Sequence, residues 1–252
     1  MNTSQHLLIT GASGGLGSAL ALAYAKVGVR LSLFGRQESA LAEIAAACRV
    51  LGAEVVVYSL DLCRKEALRK QIEWIDDKYP IDLVIANAGI ATYLDEKVTL
   101  ESWEDTERTI DVNLTGAMGT AMALIPRMRA RKQGQIAFVS SVAAYHGLEI
   151  CPSYCASKAG VKAYGESLRR LLKKDGIGVS VICPGFIESG MSQKYHARKH
   201  GMLTPEAAAI KIKRGLEKNK ENITFPFFLG LAMRLLTILP SEVSEFFITI
   251  CL

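Results

Sequence analysis

With 252 residues, half of them apolar and 22% charged, the chain can bury a substantial core and is not a disordered segment. A net charge of only +5 gives no reason to expect nucleic acid as a partner. It suits a solvated basic surface, an anionic cofactor or a membrane surface. The cysteines Cys48, Cys63, Cys151, Cys155, Cys183 and Cys251 form no Cys-x-x-Cys pair and have no His at zinc spacing. No metal is therefore expected, and reduced thiols in a cytoplasm fit best. The first residues, Met1 to His6, lack the basic and then apolar pattern of a signal peptide.

Taken in order, Leu7-Leu8-Ile9-Thr10 reads as a strand and the segment after Gly15 as a helix. Leu31-Ser32-Leu33-Phe34 is a second strand, followed by an Ala-rich helix from Glu38 to Leu51. Glu54 to Ser59 is a third strand and Arg64 to Lys78 a helix. Leu83 to Ala86, Ile136 to Val139 and Val179 to Ile182 are the next three strands. Ile223-Thr224-Phe225 makes a seventh, ended by Pro226. Continuous apolar strands separated by helices predict a mostly parallel, seven-stranded α/β sheet covered by helices on both faces. Right-handed crossovers make it doubly wound. No repeat or linker interrupts the pattern, so residues 1–252 read as one domain. The stretch from Phe225 to Leu239 departs from the alternation: it is nearly all apolar, broken by Arg234 and closed by Pro240. It falls short of the roughly 20 apolar residues that span a bilayer. Two readings stay open, a packed or dimer-contacting C-terminal extension over 225–252, and an apolar substrate mouth or membrane-touching helix.

Three local patterns carry chemistry. The first strand runs into Thr10-Gly11-Ala12-Ser13-Gly14-Gly15-Leu16-Gly17 and then a helix. A dinucleotide pyrophosphate needs backbone N–H groups at a helix start with no side chains in the way, and glycine supplies the turn and the close approach. Gly11, Ser13, Gly14, Gly15, Leu16 and Gly17 are thus candidate cofactor contacts. The second strand ends in Phe34-Gly35-Arg36, with no acid there for a ribose 2′-OH. Arg36 suits a 2′-phosphate through charge-assisted hydrogen bonds, so NADP(H) is favoured over NAD(H); Glu38 nearby keeps NAD(H) open. Finally, Tyr154-Cys155-Ala156-Ser157-Lys158 sets a phenol and an ammonium one helical turn apart. A nearby ammonium favours phenolate, so Lys158 is expected to lower the Tyr154 pKa from its usual value of about 10. Ser140 and Ser141 end the fifth strand, at the carboxyl edge where open α/β sheets bind ligands.

The spacing Gly11, Gly15, Gly17 with Tyr154 and Lys158 resembles the classical short-chain dehydrogenase/reductase family, over about residues 6 to 190. The resemblance implies a Rossmann-type fold and hydride transfer between a nicotinamide cofactor and a small carbonyl or alcohol. By it, the catalytic set is Asn113, Ser141, Tyr154 and Lys158, with Ser141 chosen over Ser140 by its spacing to Tyr154. Asn113, on a long helix before strand five, would support a proton-relaying water, and Lys158 would hold the nicotinamide ribose. Asp61 and Leu62 would lie by the adenine, Asp61 also suiting a helix cap. Asn87-Ala88-Gly89 would steady the sheet and let the cofactor pass. Pro184, Gly185 and Ile187 would flank the nicotinamide, with Ser189 in place of a Thr that bonds its carboxamide. Gly35 stands where an NAD-preferring member has its acid. Members commonly pair through two long helices, here about 104–131 and 153–174, which implies a homodimer or homotetramer.

Substrate choice in the family lies mostly in the region spanning 190–222. Here it holds Tyr195, His196, Arg198, Lys199 and His200, then a helix opening at Thr204-Pro205-Glu206. Lys211, Lys213, Arg214, Lys218 and Lys220 make that helix basic. It reads as a lid followed by a solvated helix. With the apolar stretch beside it, it also suggests a lipid-like substrate met by peripheral contact with a membrane. His196 and His200 have no acid or Cys partner, so they suggest no metal. Two other classes fit less well. A non-catalytic nucleotide sensor or scaffold has no need of the full catalytic set, and a nucleotide-sugar epimerase or dehydratase needs a larger C-terminal region.

Overall fold

Successive side chains along a strand point to opposite faces, so each apolar strand of this chain must be covered twice. The computed structural model describes residues 5–94, 100–193, 201–240 and 243–244. Its strands are β1 (Gln5–Thr10), β2 (Val29–Gly35), β3 (Glu54–Ser59), β4 (Leu83–Ala86), β5 (Gly134–Val139), β6 (Ile177–Pro184) and β7 (Asn222–Phe225). They form one sheet in the order β3-β2-β1-β4-β5-β6-β7, and every pairing is parallel. Leu7 and Ile9 of β1 face one core, and Leu8 faces the other.

The first core is closed by α1 (Gly15–Tyr24), α2 (Glu38–Val50) and α9 (Pro205–Glu217), through Leu20, Leu41, Ala45 and Ile212. The second is closed by α3 (Lys65–Lys78), α5 (Gly116–Met122) and α7 (Pro152–Leu172), through Ile72, Ala121, Val161 and Leu168. The chain leaves β1 towards β2 and β3, then returns to place β4 on the other side of β1. That reversal opens a crevice at the carboxyl ends of β1 and β4.

Two expectations need correction. The helix expected over about 104–131 runs on from α4 (Trp103–Ile110) through a π-helical turn (Asp111–Thr115) into α5, and breaks only at residues 123–124, before α6 (Ile125–Arg131). Pro126 lies in the first turn of α6, where its missing N–H costs nothing, but it could not continue the helix before it. The basic helix is also not merely solvated. Thr204 caps α9 by accepting from the Ala207 N–H at 3.2 Å. Ala208, Ala209, Ile212 and Leu216 are buried, and Lys213 Nζ donates to the Ala23 carbonyl at 2.7 Å. Its packing partner is α1, whereas α10 (Phe227–Leu236) packs on β7 at the carboxyl edge of the sheet. The lid residues Tyr195, His196, Arg198, Lys199 and His200 lie outside the described residues.

Candidate active site

The glycine turn is built by backbone crowding. Gly11 has φ +65°, and a Cβ there would stand 2.7 Å from Ala88 Cα. A Cβ on Gly17 would stand 2.1 Å from the Gly11 carbonyl oxygen. Helix α1 follows with Gly14 at its N-cap, no side-chain cap and no acid in the first turn. Its leading N–H groups are therefore open to an anion, which fits a dinucleotide pyrophosphate.

Asn87 locks this turn to β4. Its Nδ2 donates to the carbonyls of Thr10 and Gly11 at 3.0 and 3.2 Å. The backbone N–H groups of Asn87 and Ala88 both donate to Thr10 Oγ1, at 3.1 and 3.2 Å. Thr10 was not picked out from the sequence, although it directly precedes Gly11. At the end of β2, Arg36 is exposed on the cavity rim. Asp61 Oδ1 accepts from the Cys63 N–H at 3.0 Å. That bond, helped by the charges of Arg36 and Arg108, holds the Asp61 carboxyl below the usual carboxylate range. Asp61 is not a helix cap, because α3 starts later and its N-cap is Arg64.

Ser140 and Ser141 separate in role. Ser140 Oγ donates to the Lys158 carbonyl at 2.7 Å, tying β5 to α7. Ser141 Oγ accepts from the Ala143 N–H at 3.1 Å and caps a single helical turn, Val142–Ala144. Tyr154 and Lys158 lie one turn apart on α7, with Lys158 Nζ 5.6 Å from the phenol ring centroid. The ammonium donates to the Val139 carbonyl at 2.9 Å.

Burial dominates both groups. It pushes the Tyr154 phenol up to about 12, against a hydrogen bond with Ser141 that pulls it back, and the thiols of Cys151, Cys155 and Cys183 push the same way as burial. It pushes Lys158 down to about 8. Burial thus raises the phenol where a lowering by Lys158 was expected, and the ammonium is turned to the Val139 carbonyl. A phenol in this state keeps its proton through the neutral range and is fitted to give it to a substrate oxygen.

Asn113 stands behind the cavity, in the π-helical turn. Its Oδ1 accepts from the Ile90 N–H at 2.8 Å, and its Nδ2 donates to the Ile90 carbonyl at 2.9 Å and to Ser157 Oγ at 3.0 Å. Ser157 in turn donates to the Tyr154 carbonyl at 2.7 Å. Asn113 therefore joins the segment after Gly89 to the turn that carries Tyr154. After β6, the Gly185 N–H donates to the Phe225 carbonyl at 2.7 Å. Ser189 Oγ accepts from the Ser192 N–H at 3.1 Å, capping the short α8 (Gly190–Gln193) while keeping its own proton.

One cavity of about 480 Å³ gathers these groups. Gly11, Ser13, Gly14, Gly15, Leu16, Gly17, Arg36, Asp61, Leu62, Asn87, Ala88 and Gly89 line it, with Ser141, Tyr154, Lys158, Pro184, Gly185, Ile187 and Ser189. Asn113 is the one predicted site residue that does not. The cavity also takes in Tyr93, Leu148 and Cys151, which no sequence pattern marked, and Leu229 and Met233 from the apolar stretch that the sequence leaves open as a substrate mouth. An uncapped helix start faces the half-buried Tyr154 and the buried Lys158 across one crevice, an arrangement that suits a nucleotide-dependent oxidoreductase.

Comparisons with known proteins narrow the class. The model of the family described as short chain dehydrogenase matches residues 5–200. An uncharacterized oxidoreductase of Myxococcus xanthus is 34% identical over 239 residues, 94% of each chain. A 3-dehydrosphinganine reductase of Arabidopsis thaliana is 33% identical over 238 residues, 89% of this chain and 72% of its own. A short-chain dehydrogenase from Sphingobium yanoikuyae, solved in complex with NADPH, has a TM-score of 0.81 at 24% identity, over 94% of this chain and 97% of its own. One from Burkholderia phymatum, solved in complex with NAD, has a TM-score of 0.82 at 22% identity, over 93% and 94%. Those two structures speak for the fold alone. The chain belongs to the short-chain dehydrogenase family and is an NAD(P)-dependent oxidoreductase acting on a small molecule.

Proposed function

We propose that the protein is an NADP(H)-dependent reductase of an apolar, lipid-like ketone or aldehyde, with residues 1–252 acting as one domain. The observation that carries this reading is that Ser141, Tyr154 and Lys158 line the same cavity as the glycine turn and Arg36. A nicotinamide bound there supplies the hydride. Ser141 hydrogen-bonds the substrate oxygen as its charge grows. Tyr154 gives that oxygen its proton in reduction and takes it back in the reverse direction. Lys158 holds the nicotinamide ribose, and Asn113 positions Ile90 and Ser157 around it. Gly11 to Gly17 cradle the pyrophosphate, Asp61 and Leu62 flank the adenine, and Asn87, Ala88 and Gly89 pass under the cofactor. Pro184, Gly185, Ile187 and Ser189 receive the nicotinamide.

Two observations support the finer choices. Gly35, which packs against Ser13 and Leu41, offers no acid to a ribose 2′-OH, and Arg36 beside it stands on the cavity rim. Beyond Tyr154 the wall is apolar, from Tyr93, Leu148, Phe186, Met191, Leu229 and Met233. The Arabidopsis relative, named for reducing 3-dehydrosphinganine, agrees with such a substrate. A fluorescence titration tests the cofactor choice: NADPH is expected to bind more tightly than NADH. Arg36→Ala should cost NADPH about ten- to a hundred-fold in affinity, the worth of a charged hydrogen bond, and leave NADH unchanged. Equal affinities, or a loss shared by both cofactors, would overturn it.

Peripheral membrane contact belongs to the same reading. Among the described residues no helix is long and apolar enough to cross a membrane. Phe227, Phe228, Leu231 and Leu235 are nonetheless exposed along α10, which suits contact with a lipid surface. Co-sedimentation with anionic vesicles is expected, and absence of pelleting sinks this part. The five described cysteines are free, in keeping with a cytoplasmic setting that cell fractionation would check. A homodimer or homotetramer on α4 and α7 is in keeping with exposed Trp103 and Leu171, and a monomeric mass in solution would remove it.

A further inference from the structure

The C-terminal helix α10 has two different sides. Leu229 and Met233, one turn apart, line the cavity, while Phe227, Phe228, Leu231 and Leu235 are exposed. Gly230 lets the helix lie directly on β7, since a Cβ there would stand 2.2 Å from Thr224 Cγ2. Leu229 Cδ2 comes within 3.0 Å of where a Cβ on Gly185 would be, so its side chain reaches the Pro184–Gly185 turn.

Arg234 is the only polar side chain in this helix. Its Nη2 donates to the Tyr145 hydroxyl at 2.8 Å, and its guanidinium carbon lies 5.0 Å from the Tyr145 ring centroid. The Tyr145 hydroxyl is also 3.4 Å from Thr224 Oγ1. Tyr145 directly follows the turn that Ser141 caps. One side-chain bond thus joins the C-terminal helix to the segment holding Ser141, across 89 residues of chain. A helix that only covered core would need neither a charge aimed at Tyr145 nor two side chains in the cavity wall. The bond is exposed, and so weak enough to open and reclose.

We propose that α10 is the specificity element of the site: Leu229 and Met233 receive the hydrocarbon arm of a long or bulky ketone, and the Arg234–Tyr145 pair latches the helix over Ser141. Leu229 and Met233 are specificity-determining residues; Arg234 and Tyr145 are positioning residues. The inference rests on the carbonyl-reductase reading and adds to it the part of the molecule that measures the substrate.

The test is a homologous series of straight-chain 2-alkanones, short to long, with the full-length protein saturated with NADPH. Turnover is followed in the otherwise native protein. Binding is followed separately, by quench of bound-NADPH fluorescence in a Tyr154→Phe background. Met233→Trp is expected to weaken binding of the longest ketones by about ten-fold or more, as filling an apolar pocket does, and that of the shortest by much less. Tyr145→Phe and Arg234→Met should each raise KM for long ketones and leave kcat for short ones unchanged. The two together should lose less than the sum of the single losses, because the Arg234–Tyr145 bond is common to both. Arg234→Lys, which can still donate, should recover part of the loss.

A loss equal for all chain lengths, no loss, or additive losses in the latch pair would overturn the proposal. Should Met233→Trp also lose NADPH binding, and so its fold, Tyr145→Phe, which deletes one oxygen, decides alone. The two readings fail differently. Chain-length-dependent binding without turnover of any ketone sinks the carbonyl-reductase reading and keeps this one. Turnover whose chain-length dependence the variants do not alter does the reverse.

Discussion

Tyr154→Phe is expected to lower ketone turnover by about 10²–10⁴-fold while NADPH binding persists. The substitution removes one hydroxyl and keeps the ring, which packs against the cluster of Ala143, Cys151 and Cys155. The change therefore acts on the proton and not on the fold. Steady-state turnover and NADPH fluorescence, measured on the same preparation, check it. Joint loss of turnover and cofactor binding would mark Tyr154 as structural, and retained turnover would mean that another group supplies the proton. The pH profile carries a second signature. Because burial holds the phenol near about 12, the acid form is present below that value and is lost only as pH rises through it. Ionisation of Tyr154 should therefore not show at about pH 10, where an ordinary tyrosine ionises, and a fall through about 8 would report Lys158 instead.

Gly17→Ala is expected to destabilise the protein by about 1–3 kcal/mol or more, seen as a fall of several degrees in Tm, and to weaken NADPH binding. The new Cβ would meet Gly11 oxygen at 2.1 Å, Gly11 carbon at 2.8 Å and Ala12 Cα at 2.9 Å. All three are backbone atoms of the tight turn, so no rotamer change relieves the clash. Gly15→Ala is the contrast. Its nearest neighbour would be the Glu188 carbonyl oxygen at 3.4 Å, an ordinary contact, and alanine favours a helix over glycine by about 0.5–1 kcal/mol. Gly15→Ala should hold or raise Tm and still weaken NADPH binding, if the open helix start serves the pyrophosphate. Thermal melts and NADPH titrations of both variants separate a glycine the fold requires from one the ligand requires. Equal melting temperatures for the two would refute the steric argument, and unchanged NADPH affinity in Gly15→Ala would refute the cradle.

Seven strands, the glycine turn and the Tyr154–Lys158 pair were legible in the sequence because each signal is local. Strand periodicity needs a few residues, a phosphate-binding turn is one segment, and groups four apart on a helix share a face. The end of β2 was legible for the same reason, with Arg36 in place of an acid. Less local matters were not. The helix before β5 looked regular throughout, yet it widens into a π-helical turn around Asn113 and breaks just before α6, which Pro126 opens. Lys158 looked like the partner that would lower the Tyr154 pKa. Its ammonium instead bonds the Val139 carbonyl, and burial sends the phenol the other way.

What the amino-acid sequence determined by itself is the parallel α/β plan, the glycine turn after β1 and the family its motifs resemble. What only the tertiary structure decided is the environment of the motif residues. Asn113 reaches the Tyr154 backbone through Ser157, Thr10 holds Asn87, and α10 lies on β7 so that Leu229 and Met233 line the same cavity. The physical reason is that burial and side-chain bonding depend on which distant segments the sheet brings together, and Tyr145 with Arg234 leaves no repeating pattern in the chain for a reader to find.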